Sequence, residues 1–249
     1  MTMLLAVGSL AAAQPPAPPP AAAGPQGPQP PPPVWTGSAG AGFTMNRGNT
    51  DTTNVNLSFE ATRDPKTRSV WKFKALYLRG QTAGAATVDR FLADARNERD
   101  LSARVYAFAA VQFLEDQFKQ IDYLWAPAGG IGYKLIAAPM TTLNVDGGLG
   151  AKIEKDTGLD RRTDAVVTLS DKFEHKLSKT SSITQGYNAL WKASDFGDVL
   201  QTFTAGVAAS LTARTQVKIE FLDSYVSRPP SAAVKQNDIA LLTAFVYKF

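Results

Sequence analysis

The sequence predicts an all-β chain, a single antiparallel transmembrane β-barrel of about twelve strands. Three observations carry this reading. Apolar and polar residues alternate through most of the chain beyond Val34, and many alternating segments are long. The chain also ends on an aromatic strand, Ile239-Ala240-Leu241-Leu242-Thr243-Ala244-Phe245-Val246-Tyr247-Lys248-Phe249. Period-two alternation puts one apolar and one polar face on each segment, as extended strands do. A soluble sandwich alternates in the same way, but its strands average about five or six residues. Segments of roughly ten or more have the reach of a tilted membrane strand.

The elements follow in chain order. Residues 1–13 read as an export signal peptide, because Met3-Leu4-Leu5-Ala6-Val7-Gly8-Ser9-Leu10-Ala11-Ala12-Ala13 is short, apolar and closed by small residues. No basic residue precedes it. Residues 14–33 are almost all proline, alanine, glycine and glutamine, with no apolar face to bury. They read as a disordered, extended linker that stays in the periplasm. Residues 34–249 form the barrel, with strands expected over 34–46, 52–63, 68–80, 87–101, 104–116, 120–136, 141–154, 160–177, 181–194, 198–211, 214–225 and 235–249.

Val55, Leu57, Phe59 and Ala61 alternate with polar neighbours, as do Trp71, Phe73, Ala75 and Tyr77, and later Leu143, Val145, Leu149 and Ala151. The connections 64–67, 102–103, 137–140, 178–180 and 212–213 read as tight. Those at 81–86, 155–159 and 226–234 read as longer, the rhythm of short periplasmic turns and longer external loops. An even strand count returns both ends of the barrel to one side. Trp35, Trp71, Tyr77, Tyr247 and Phe249 near strand ends fit aromatic girdles. Interior glycines such as Gly37, Gly40, Gly132, Gly148 and Gly150 fit the curvature and close packing of a closed barrel.

Composition excludes other classes. A net charge of +4 from 26 basic and 22 acidic residues, without long like-charge runs, does not argue for nucleic acid as a partner. The absence of cysteine removes disulfides, thiolate zinc sites and a cysteine nucleophile. A mean hydropathy of -0.14 and the lack of an uninterrupted apolar run of about 18 residues exclude a spanning helix.

Trp35-Thr36-Gly37-Ser38-Ala39-Gly40-Ala41-Gly42-Phe43, then Gly48-Asn49-Thr50-Asp51-Thr52-Thr53 and Asn54-Val55-Asn56-Leu57, resembles the start of the DUF481 family, also described as salt-induced outer membrane proteins. The resemblance spans residues 34–249. It implies an outer-membrane barrel without an established activity, located in the bacterial outer membrane among lipid and lipopolysaccharide. It also implies that Phe245, Tyr247 and Phe249 form a terminal assembly signal read by the barrel-insertion machinery.

Catalytic chemistry has little foothold, so the chain reads as non-enzymatic, with no cofactor, metal or catalytic residue expected. The one histidine, His175, can be drawn with Ser170 and Asp171 as a lipid-acting hydrolase or acyltransferase, the competing reading. His175 falls near the periplasmic end of its strand, away from the external end where such chemistry is needed. No nucleotide or zinc motif occurs. Asp94, Glu98 and Asp100 are interleaved with Arg96 and Arg99, unlike a calcium loop.

The polar faces are more informative. Glu60, Lys72, Lys74, Arg90, Asp94, Arg96, Lys152, Glu154, Lys218 and Glu220 are expected to line the lumen if Val55, Trp71, Phe91, Ile153 and Ile219 face lipid. Their mixed signs fit either paired charges filling a closed barrel or a narrow solute path. Envelope structure or limited small-solute passage follows, tied to salt or osmotic stress by the family's name.

Overall fold

The computed structural model describes residues 33–46, 52–232 and 234–249. The expected signal peptide and, apart from Pro33, the linker lie outside these residues, as does the Gly48-Asn49-Thr50 element. Twelve strands follow one another in chain order: β1 (Trp35–Asn46), β2 (Thr52–Arg63), β3 (Ser69–Thr82), β4 (Ala85–Asp100), β5 (Val105–Asp116), β6 (Ile121–Ala137), β7 (Thr141–Asp156), β8 (Arg162–Lys176), β9 (Ser181–Lys192), β10 (Asp195–Ser210), β11 (Thr215–Val226) and β12 (Asn237–Lys248). Each pairs antiparallel with its sequence neighbours, and β12 returns to β1, closing the barrel. Closure is the physical answer to unpaired strand edges in an apolar medium.

Every predicted strand exists, and most boundaries move by only a few residues. The loop rhythm differs. The connection expected over 81–86 is only Ala83-Gly84, and residues 193–194 form another two-residue link. Positive φ at Ala83 (50°) and Gly84 (81°) makes the first a tight hairpin turn, which lets β3 and β4 extend beyond their predicted ends. Among the described connections, residues 227–236 alone form a long one. The mouth carrying Trp35 and Phe249 is called the terminal end, and the opposite mouth the far end.

The register separates two faces. Phe59, Trp71, Phe91, Trp125, Leu149, Ile219 and Leu241 point outward and are exposed, an apolar band around the wall. Near the terminal end, Phe73 stacks between Trp35 and Trp71 with ring centroids 6.2 and 6.1 Å away, and Phe59 stacks on Phe249 at 6.3 Å. Glycine has a specific use where the Tyr106 ring lies over Gly132, since a Cβ there would run into the ring.

The closing seam is short. Phe249 and Gly37 exchange backbone hydrogen bonds at 3.0 and 3.1 Å, and pairing runs on to Ala41↔Phe245. Beyond that pair, β1 and β12 share no further register pair. Asn56 of β2 instead reaches past Gly42 and donates to the Thr243 carbonyl at 3.3 Å. A side chain at Gly42 would collide with that carbonyl, so this position must remain bare.

A lumen with a solvated vestibule and a dry closure

The inward face divides into three levels. Towards the terminal end, Glu60, Lys74 and Lys172 point inward and are nevertheless exposed, so solvent reaches them from the mouth. Glu60 pairs in register with Lys74, and Lys74 with Asp94, which places the three on adjacent strands. Lys172 projects from β8, on the other side of the barrel. One flank of this vestibule is an ordered ionic chain. Lys72 pairs with Glu98 at 2.6 Å, and Arg96 pairs with Glu98 at 2.8 Å and with Asp146 at 2.7 Å. The Tyr106 hydroxyl donates to Asp146 at 3.0 Å, and the Arg96 guanidinium lies 4.0 Å over the Phe108 ring. Lys218 and Glu220 pair at 2.6 Å on β11.

Above the vestibule the inward face becomes aliphatic. Leu114, Ile121, Leu124, Ala126, Val166, Leu190 and Leu200 form one buried cluster, with Leu92 and Val226 packed against it. Leu124 and Val166 are each 1 % exposed. An inward leucine in an open pore would be wetted, so burial this deep requires the lumen to be filled at this level. Twelve strands permit this, because small barrels fill with side chains whereas sixteen-stranded ones leave a channel. On the β7 side the layer is ionic, since the buried Glu154 stands in register with Leu124 and the buried Lys152 lies beside Ala126.

The far end is tied across the mouth. Lys119, in the 117–120 turn between β5 and β6, reaches the opposite wall. Its Nζ donates to the carbonyls of Ser224 and Gln236, each at 3.2 Å, and pairs with Asp238 at 3.3 Å. The same Asp238 carboxylate accepts from Arg90 at 3.0 Å, and Arg90 also pairs with Asp116. The Lys119 side chain is 2 % exposed, and burial pushes its ammonium below the usual lysine value, while Asp238 opposes that shift. A second cluster joins Lys152 to Glu154 at 3.0 Å, and Arg162 to Glu154 at 2.6 Å and Asp156 at 3.0 Å. The 227–236 loop completes the cover. Arg228 pairs with Asp195 at 2.6 Å, and Pro229, Pro230 and Val234 close over Lys119, Lys152 and Arg162. The cavity left among them is about 10 Å³, room for roughly one water.

By register, all ten residues singled out in the sequence lie on the face opposite Trp71, Phe91 and Ile219. Lys72, Arg90, Arg96, Lys152, Glu154, Lys218 and Glu220 have ion-pair partners within 4 Å, whereas none is found among the described residues for Glu60, Lys74 or Asp94. The sequence reading omitted Lys119, Asp238, Asp146 and Lys172, as well as the aliphatic layer. His175 and Asp171 point outward and Ser170 inward, so the three do not converge. His175 Nδ1 lies 2.8 Å from Thr141 Oγ1, Asp171 accepts from Gln185 at 2.8 Å, and Ser170 accepts from Asn188 at 2.9 Å.

Comparison with solved structures gives the same architecture at low sequence identity. The COG4313 outer membrane channel from Pseudomonas putida F1 is similar, with a TM-score of 0.51, 13% identity, and coverage of 86% of this chain and 95% of that one. The NanC porin is also similar, with a TM-score of 0.47, 10% identity, and coverage of 86% and 96%. No curated protein sequence matches. The model of the DUF481 family, described as a protein of unknown function, matches residues 39–249. The chain belongs to the DUF481 family, and its fold is a closed twelve-stranded antiparallel barrel.

Proposed function

We propose that this protein is a narrow, non-enzymatic channel of the bacterial outer membrane, held closed in the state described above. The outward apolar band and its aromatic stacks fit insertion among lipid and lipopolysaccharide. The terminal end then faces the periplasm and the far end the exterior. In this reading the proline-rich segment is a periplasmic spacer after a cleaved export signal. Phe245, Tyr247 and Phe249 form the signal that the barrel-insertion machinery reads. Involvement in salt or osmotic stress belongs to the same reading.

The observation that carries the proposal is the asymmetry of the lumen. Glu60, Lys74 and Lys172 are solvated from the terminal mouth, whereas the far half of the lumen is filled and buried, an asymmetry that an inert filled scaffold does not need. Passage requires the filled layer and the mouth above it to separate, and the latch at the far end consists of ion pairs that water can replace. Conductance in planar bilayers tests this reading. The native protein is expected to conduct in rare, brief events, and the double variant Leu124→Ala/Leu190→Ala to conduct more often. A double variant that keeps its heat-modifiable barrel form and conducts no more than the native protein overturns passage and favours a structural envelope role.

A further inference from the structure

On the β8–β9 side, the outward wall carries polar groups inside the apolar band. Asp171 of β8 and Tyr187 of β9 pair in register and both point outward, with Gln185 beside them. Asp171 stands five residues inside the Lys176 end of β8, and Tyr187 six residues inside the Ser181 end of β9. A strand tilted by about 40° rises roughly 2.5 Å per residue along the barrel axis, which sets both about 13–15 Å from the terminal mouth. An apolar band about 25 Å tall encloses that depth, too far inside for either side chain to reach water. Asp171 accepts from Gln185 at 2.8 Å but has no ion-pair partner among the described residues. The Tyr187 hydroxyl has no hydrogen-bond partner among them. Arg79 and Asp89, also outward, neutralise each other at 2.9 Å. Polar groups left unpaired against hydrocarbon are costly, and an ionisable residue at membrane depth marks a place of contact.

Beside this pair the outer wall holds an apolar groove of about 360 Å³, lined by Val105, Ile131, Tyr133, Val145, Gly147 and Leu169 among others. Its floor is bare at Gly147, where a Cβ would meet only the Thr168 carbonyl at an ordinary 3.5 Å. The inward neighbour Gly148 differs, since a Cβ there would run into the Gly129 carbonyl. Barrel packing therefore demands glycine at 148 and leaves 147 free, so the recess on the outside is not imposed by the wall. In the strand order the groove lies on one side of the Asp171–Tyr187 pair, over β6 to β8. Phe203 of β10 and Phe221 of β11 lie on the other side, with ring centroids 6.3 Å apart. The wall thus presents a recess, a polar pair and an aromatic ridge in sequence.

We propose that this wall is the interface between two copies of the chain, related by a two-fold axis along the membrane normal between β8 and β9. The inference rests on the reading of the barrel as membrane-inserted. Residues at one depth meet across such an axis, so the Tyr187 hydroxyl of each copy donates to the Asp171 carboxylate of the other. Both unpaired groups are satisfied, and the contact occurs twice. The same rotation sets Phe203 and Phe221 of each copy against the groove of the other. A lipid chain fills the groove equally well but brings no donor to Asp171 at this depth.

Single-molecule photobleaching reads the interface without requiring conduction. The protein is kept sparse in lipid vesicles and labelled through Lys66→Cys, in the exposed turn between β2 and β3. Two-step traces are expected to predominate for the otherwise native chain. Tyr187→Phe, which removes one oxygen, and Asp171→Leu should each weaken association about tenfold or more, because each lost hydrogen bond counts twice. Gly147→Leu fills the groove and should weaken association while the heat-modifiable barrel form is kept. Leu57→Ala, outward on β2, is expected to leave it unchanged. One-step traces from the otherwise native chain overturn the proposal and leave the groove to lipid. Association that survives Tyr187→Phe and Asp171→Leu together overturns it as well. A dimer whose Leu124→Ala/Leu190→Ala variant never conducts would overturn passage and leave the interface standing. A monomer that conducts would overturn the interface alone.

Discussion

Replacing Asp238 with alanine removes the one carboxylate that serves both Lys119 and Arg90 at the far mouth. Arg90 keeps Asp116, but Lys119 keeps only the two carbonyls of Ser224 and Gln236. Breaking a fully buried pair costs about 3–5 kcal/mol, because the abandoned charge stays buried. The Asp238 side chain is 43 % exposed, so solvent screens its half of the interaction. A cost of about 1–3 kcal/mol is the appropriate scale after that discount. Cost is charged against the closed mouth, since in an open one Lys119 is hydrated. At about 1.4 kcal/mol per factor of ten, the open population rises roughly 5- to 150-fold. Single-channel recording in planar bilayers measures this as opening frequency at constant channel number. An Asp238→Ala protein that folds to the native heat-modifiable form and opens no more often than the native protein would refute the latch.

Three further outcomes follow from the same geometry. Because burial holds the Lys119 ammonium below its ordinary value of 10.5, the closed mouth binds that proton less tightly than the open one. Closure therefore gains stability as pH rises towards 10.5 and loses it as pH falls through the lowered value. Opening frequency should decline over that alkaline window, and Lys119→Met should abolish the decline. Deleting Phe249 removes both its hydrogen bonds to Gly37 and its stacking on Phe59, and is expected to lower the amount of heat-modifiable barrel in the outer membrane; unchanged levels would count against an assembly role. Gly132→Val drives a side chain into the Tyr106 ring and should cost about 1–3 kcal/mol through overpacking, read as a lower thermal midpoint of barrel unfolding.

The architecture was largely legible because a barrel wall imposes a period of two on every strand, and Phe59, Trp71 and Ile219 record the outward face directly. Lumenal charges such as Lys72 and Glu220 were legible for the same reason, since they occupy the alternate positions. The aliphatic closure was obscured because it breaks that alternation. Phe91-Leu92, Phe113-Leu114, Leu124-Trp125 and Leu190-Trp191 are each adjacent apolar pairs, one residue outward and one inward. Read as a group, such lapses on several strands mark a level where both faces are dry. The latch had no comparable signal. Lys119 lies in a turn, and its partners at Ser224, Gln236 and Asp238 are more than a hundred residues away, joined to it only by barrel closure. Loop lengths misled at 81–86, where Ala83 accepts a positive φ and the strands run further than the Thr-Ala-Gly-Ala-Ala composition indicates.

The division of the lumen into a solvated vestibule and a dry layer is tested most directly by thiol accessibility, because the chain contains no cysteine of its own. Single variants Lys172→Cys and Leu124→Cys, reconstituted in lipid vesicles, are treated with a charged, membrane-impermeant methanethiosulfonate reagent presented to the terminal end. The structure predicts that the thiol at position 172 is modified at close to the rate of a free thiol, while the one at 124 remains unmodified over the same interval. Modification of both at similar rates would contradict the closure and, with it, the account of a gated lumen.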